Sequence, residues 1–109
     1  MYNGRMTIAP NQLKALVFQQ GEVVLGQLQV KELDFPWVIC AFTPTEAFEL
    51  LRTLFEAQLR LSEGEDWDAY EKVEAEILAL DLELRDPETG ERISDFLIHF
   101  EGDTAWFRY

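Results

Sequence analysis

The end of the chain places several chemically capable side chains close together. The stretch "ISDFLIHFEGDTAWFRY", residues 93–109, contains the only histidine, several aromatic residues and an arginine around a Gly-Asp pair. A Gly-Asp pair between apolar runs is typical of a two-residue β-hairpin loop, which fixes the pairing of both strands. One face then pairs Leu97 with Arg108, His99 with Trp106 and Glu101 with Thr104. An imidazole beside an indole, flanked by a cation and a carboxylate, is suited to recognising a ligand or a partner.

The opposite face of the same hairpin is entirely apolar. The predicted register pairs Phe96 with Tyr109, Ile98 with Phe107 and Phe100 with Ala105. Cross-strand neighbours lie within about 5.5 Å of each other at Cβ, so these side chains form one hydrophobic surface that must be buried. The candidate ligand- or partner-binding residues are therefore those of the mixed face: His99, Trp106, Arg108 and Glu101.

The usual catalytic constellations are missing from the sequence. A general base at His99 would need Asp103 as its partner, but a tight turn already engages that side chain locally. There is no Gly-rich phosphate loop, no histidine pair for zinc and no Gly-x-Ser-x-Gly elbow. A metal held by acids alone would be weakly bound without a loop motif. We therefore predict a non-enzymatic protein with no catalytic residues, no metal and no cofactor.

Charge is the strongest global property of the chain. It has 21 acids against 9 bases, a net charge of −12, so direct binding to nucleic acid is not expected. Between residues 63 and 83, Lys72 is the one base among many acids. Three interpretations stay open: a surface for a basic partner, a mimic of nucleic-acid charge, or a solvated helix face that keeps the protein in solution. The candidate acidic partner face consists of Glu63, Glu65, Asp68, Glu71 and Glu74.

Strand-forming residues precede helical ones along the chain. Residues 13–42 are rich in β-branched and aromatic side chains and predict three strands. Gly26 within them is expected to mark a bulge or a close approach of another group. Cys40 lies in a near-continuous apolar run and is expected to be a buried, unreactive thiol.

Two helices are predicted next. In "TPTEAFELLRTLFEAQLRL", Thr43 is a suitable N-cap, Pro44 suits the first helical position and Glu46 completes a capping box. Apolar residues recur at helical spacing up to Gly64, and a second helix is expected to begin near Asp66.

After the helices, leucines alternate with polar residues from Leu78, which predicts a further strand, and the hairpin described above follows. The predicted fold is α+β: a mainly antiparallel sheet of about six strands in the order βββααβββ, with two helices packed on one face.

The remaining global features indicate one cytoplasmic domain. A chain of 109 residues is long enough for a single core, so we expect one domain over residues 1–109, with residues 1–7 as a flexible N-terminus. No apolar run reaches the length of a membrane helix, and the first residues lack the apolar region of a secretory signal. A single cysteine excludes an internal disulfide and fits a reducing compartment.

Three segments, "DFPWV", "TPTEAF" and "FLIHFEGDTAWFRY", resemble a pattern found in small acidic bacterial proteins of unknown function. The resemblance covers about half of the chain and implies a bacterial cytoplasmic protein, with no activity or site residues attached.

The leading functional hypothesis is a protein-interaction module that binds a basic protein partner, in the manner of an immunity protein or antitoxin. The alternative is a small-molecule-binding domain that uses the aromatic face around Trp106 and His99. Both a monomer and a homodimer stay open.

Overall fold

A computed structural model of the chain describes residues 13–109, which form one antiparallel sheet of seven strands and two α-helices. The strands are β1 (Ala15–Gln20), β2 (Val23–Asp34), β3 (Trp37–Pro44), β4 (Leu82–Arg85), β5 (Arg92–Ile93), β6 (Leu97–Glu101) and β7 (Thr104–Arg108). Between β3 and β4 lie a 3-10 turn (Glu46–Phe48), α1 (Glu49–Ser62) and α2 (Trp67–Leu78). The predicted α+β class is confirmed. The predicted flexible segment 1–7 lies outside the described residues.

The sheet has one strand more than the predicted six, because the strand expected after residue 92 divides in two. Its first part, β5, pairs with β4, and its second part, β6, pairs with β7. The strand order is β5-β4-β1-β2-β3-β7-β6, so these two parts lie at opposite edges of the sheet. Only residues 94–96 connect them, and an extended segment of this length reaches about 14 Å. The sheet must therefore curl until its two edges approach each other.

A single hydrophobic core fills the inner face of this curled sheet. It is built around phenylalanines from strands and helices, with ring centroids between 4.6 and 6.4 Å apart: Phe18, Phe42, Phe48, Phe55 and Phe100. The thiol of Cys40 is free and buried within the core, as predicted. Burial raises the pKa of this thiol to about 12, which suppresses the reactive thiolate.

The C-terminal hairpin has the predicted register throughout its two strands. The pairs are Leu97–Arg108, Ile98–Phe107, His99–Trp106, Phe100–Ala105 and Glu101–Thr104. Gly102 in the loop has a φ of 59°, which glycine adopts without a steric cost. Ile98, Phe100 and Phe107 are buried in the core, so this part of the apolar face is confirmed. The sixth predicted pair, Phe96 with Tyr109, lies beyond both strands, and these two side chains are only partly buried.

Gly26 allows neighbouring groups of β3 to approach the backbone of β2 closely, which is one of the two roles predicted for it. A Cβ built on Gly26 would lie 2.9 Å from the carbonyl oxygen of Thr43 and against the ring of Phe42. The absence of a side chain here lets β2 and β3 pair while the Phe42 ring remains in the core.

The predicted start of the first helix at Thr43 and Pro44 is wrong. Both residues belong to β3, where Thr43 pairs with Gln27 and Pro44 with Gly26. Sheet pairing therefore overrides the local capping signal, and α1 begins only at Glu49 after the 3-10 turn. The hydroxyl of Thr45 donates to the carbonyl oxygen of Val24 at 2.7 Å, which attaches this turn to β2.

The second helix begins where the sequence predicts and ends later. The Asp66 side chain caps α2 by accepting a hydrogen bond of 3.1 Å from the amide of Ala69. The strand predicted from Leu78 starts instead at Leu82, because helical hydrogen bonding continues to the amide of Ala79. In residues 13–109, neither helix has the length and apolar character needed to cross a membrane.

Candidate functional site

An aromatic cluster occupies the outer face of the sheet at β3, β7 and β6. The His99 ring lies between two indoles, with centroid distances of 5.7 Å to Trp37 and 5.6 Å to Trp106. The strand register explains the arrangement, because Trp106 pairs with both Ile39 and His99, and Trp37 begins the same β3 strand. The guanidinium of Arg108 lies 5.3 Å from the centroid of the Trp37 ring.

A buried glutamine of α1 fixes the orientation of the histidine. Gln58 is only 1% exposed, and its amide nitrogen donates to Oε1 of Glu74 at 2.9 Å. Its amide oxygen therefore faces Nδ1 of His99, 3.0 Å away. Because an amide oxygen only accepts, Nδ1 carries the proton and Nε2 of the neutral ring is left as an acceptor.

The second nitrogen of His99 retains some contact with solvent. Nε2 makes no hydrogen bond within residues 13–109, and those residues include no fully buried polar side-chain atom that lacks a partner. Nε2 must therefore contact solvent, although His99 as a whole is only 7% exposed. The expectation of an accessible histidine face is thus corrected: most of the ring is covered, and one acceptor atom is left at the surface.

Burial favours the uncharged form of this histidine. Desolvation lowers the pKa of His99 below its usual 6.5, and the nearby Arg108 cation acts in the same direction. The carboxylate of Glu74 opposes the shift without reversing it. Burial raises the pKa of Tyr70, and the negative charge of Glu74 acts in the same direction. Neutral His99 at pH 7 is a hydrogen-bond acceptor at Nε2.

The aromatic cluster forms the wall of an open groove of about 420 Å³. We call it the indole groove; its lining residues are Asp34, Trp37, Ile39, Leu59, Ser62, Glu63, His99 and Trp106. Its charged groups are the carboxylates of Asp34 and Glu63, and none of its lining residues is a lysine or an arginine. An apolar, aromatic groove with anionic groups is chemically suited to a cation that carries a hydrophobic or planar body.

The four predicted binding residues of the hairpin do not share one site. His99 and Trp106 line the indole groove, but Arg108 lines a neighbouring depression with Glu74 and Asp95. Glu101 is exposed near α1, in a separate groove with Phe48, Phe55 and Phe100 at its base. Glu101 and His99 are two residues apart on the same face of β6, yet they line different grooves.

The predicted acidic partner face is largely exposed. Glu63, Glu65, Asp68 and Glu71 are exposed, around the turn between the helices and on the first part of α2. Glu74 differs, because it is half-buried and its carboxylate accepts from Gln58. Glu63 belongs to both the acidic face and the indole groove, so the two predicted surfaces are contiguous.

Sequence reasoning missed the side chains that come from elsewhere in the chain. Trp37 belongs to the near-continuous apolar run that predicts a strand. Its alternation with buried Val38 and Cys40 indicates that its side chain lies on the sheet face opposite the core. Gln58 carried a signal as well, since it is a polar residue three positions after Phe55 on an apolar helix face. The contact between α1 and β6 depends on packing, which no local pattern reveals.

The titratable side chains of the groove are one imidazole and two carboxylates. Within the described part of the chain, no group of three or more histidine, cysteine or carboxylate side chains is placed to hold a metal ion. Its single titrating base, His99, has its proton-bearing nitrogen engaged by Gln58. Comparisons with protein-family models, with curated proteins and with solved structures find no match to this chain.

Proposed function

We propose that this protein is a non-enzymatic interaction module that binds a basic protein partner in the cytoplasm. The observation that carries the proposal is the continuity of the acidic face with the indole groove through Glu63. Charges arranged in this way accelerate association with an oppositely charged partner and select against acidic ones. Regulation of a basic protein by occlusion, as immunity proteins and antitoxins act, is the kind of role that such a surface serves.

An exposed aromatic side chain beside the groove supports a macromolecular partner. Phe35 is 92% exposed at the tip of the β2–β3 hairpin, and Leu33, two residues before it, is 46% exposed. Asp34 lies between them and lines the indole groove. Large aromatic residues are frequent hot spots of protein–protein interfaces, because they lose much apolar surface to water on binding. A small ligand within the groove would leave Phe35 exposed.

A charge-reversal variant tests the proposal. Glu65→Lys, Asp68→Lys and Glu71→Lys together reverse the exposed acidic face and leave the groove residues unchanged. The immobilised wild-type protein should retain a basic protein from a lysate of the cells that produce it, and added salt should release that protein. Retention by the variant, measured by quantitative mass spectrometry, should fall by about tenfold or more, because the steering charges are now repulsive.

The matched control carries the same change in net charge elsewhere. Glu22→Lys, Glu32→Lys and Glu88→Lys alter exposed acids outside the proposed face, so retention should stay close to that of the wild type. Melting curves of both variants establish that each is folded. Equal retention by the two triple variants, or a retained partner that is acidic or indifferent to salt, would contradict the proposal.

Binding of a small-molecule ligand is the second candidate function, and the placement of His99 between two indole rings favours it. The groove volume of about 420 Å³ lies within the range of ligand sites in proteins. Binding of an uncharged ligand there would respond little to salt, whereas charge-driven protein association weakens steeply as ionic strength rises. The dependence of retention on salt therefore separates the two functions.

A further inference from the structure

We infer that the indole groove receives an arginine side chain of the basic partner. The inference rests on the proposed function and names the chemical group that the partner inserts. It follows from the composition of the groove: two indole rings, one unprotonated ring nitrogen and two carboxylates, with no cationic side chain among the lining residues.

The aromatic walls favour a planar cation. A guanidinium stacks on an indole through both its charge and its flat shape, whereas a lysine ammonium offers charge alone. The protein already uses this contact, since Arg108 lies 5.3 Å from the centroid of the Trp37 ring. Arg108 itself lines the neighbouring depression and not the indole groove.

Apart from the indole N–H groups of Trp37 and Trp106, the polar side-chain groups of the groove can all act as acceptors. Gln58 holds the proton of His99 on Nδ1, so Nε2 presents a lone pair to a donor. Asp34 and Glu63 supply carboxylate oxygens on the same groove. A guanidinium has five N–H donors in a rigid fork, which can serve several acceptors at once.

Titration with a single amino-acid derivative tests the inference directly. The probe is N-acetyl-arginine methylamide, added to the full ¹⁵N-labelled chain while the three indole N–H signals are followed by NMR. Arginine should shift the signals of Trp37 and Trp106 saturably, with a dissociation constant of about 1–10 mM for so small a ligand. The signal of Trp67 on α2 should not move. N-acetyl-citrulline methylamide has the same shape without the charge and should produce no saturable shift.

Substitution of the groove carboxylates provides the second arm. Asp34→Asn with Glu63→Gln should weaken arginine binding by about fivefold, because two partly exposed charge pairs are lost. The control Glu22→Gln with Glu88→Gln removes two exposed charges outside both the groove and the acidic face and should bind arginine as the wild type does. Arginine that causes no saturable shift, shifts Trp67 equally, or binds no better than citrulline would overturn the inference.

Failure of this inference is distinguishable from failure of the proposed function. If the arginine probe does not bind but the acidic-face reversal still abolishes partner retention, the partner is basic and its arginine does not enter the groove. If the probe binds the groove but both triple variants retain the partner equally, the groove accepts arginine and the acidic face has no part in association.

Discussion

Replacement of Gln58 by leucine should destabilise the protein by about 2–4 kcal/mol. Leucine has a similar volume, so packing is largely kept and both hydrogen bonds are lost. The Nδ1–H of His99 is then buried without an acceptor, which costs about 1–3 kcal/mol. The hydrogen bond to Glu74 is charge-assisted, but the carboxylate of Glu74 is half-buried and can bind water instead. Loss of this hydrogen bond therefore adds only about 1 kcal/mol to the destabilisation.

Urea denaturation measures this loss. For a small domain the slope is about 1–3 kcal/mol per molar urea, so the midpoint should fall by about 1–3 M while the slope stays unchanged. Gln29→Leu is the matched control, because Gln29 is exposed on β2. It should change the stability by no more than about 0.5 kcal/mol.

The opposite result would contradict the role assigned to Gln58. If Gln58→Leu unfolds within about 0.5 kcal/mol of the wild type, the hydrogen bonds to His99 and Glu74 contribute no net stability, as is found for some buried polar networks replaced by apolar residues. The histidine would then be oriented by the two indoles and not by α1.

Three further measurements test other parts of the structure. Stability should fall as the pH is lowered from 7 through the usual histidine pKa of 6.5, because the pKa of His99 is lowered in the folded protein and the unfolded chain takes up the proton first. The contribution of neutral His99 is complete above pH 6.5 and is lost as the pH falls, so His99→Gln should flatten the profile. Gly26→Ala should lower the free energy of unfolding by about 1–3 kcal/mol through overpacking. Gly64→Ala is the control: its new Cβ would lie 3.8 Å from the nearest atom, so this variant should melt as the wild type does. Asp66→Ala should cost about 1 kcal/mol in urea denaturation, and Asp66→Asn, which keeps a capping oxygen, should cost little.

The last hairpin was predictable because its pairing is local. A two-residue loop determines every cross-strand pair on both sides of it, and the alternation of apolar residues identifies which face is buried. The prediction for Phe100 and Phe107 therefore needed no knowledge of the rest of the fold. The position of Trp37 beside this hairpin could not be predicted in the same way, because the pairing of β3 with β7 joins segments about 60 residues apart.

Local signals failed where a distant strand competes for the same residues. Thr43 and Pro44 satisfy the rules for a helix start, yet both lie in β3 because β2 pairs with it up to Gly26. The leucine alternation from Leu78 likewise predicted a strand, but helical hydrogen bonding continues through that residue, which is 72% exposed. Tertiary context overrides such propensities, which contribute only fractions of a kcal/mol per residue.

The short connection of residues 94–96 also determines where the molecule can open. Because this segment reaches only about 14 Å, the two edges of the sheet cannot separate further unless β5 or β6 leaves its neighbour. β5 has two residues paired with β4, whereas β6 has five paired with β7. Any such opening must break the pairing of β5 with β4 or that of β6 with β7, so deuterium exchange at the amides of these two strands would report it. Opening at β5 would leave the hairpin that carries His99 and Trp106 paired, whereas opening at β6 would separate His99 from Trp106 and dismantle the wall of the groove.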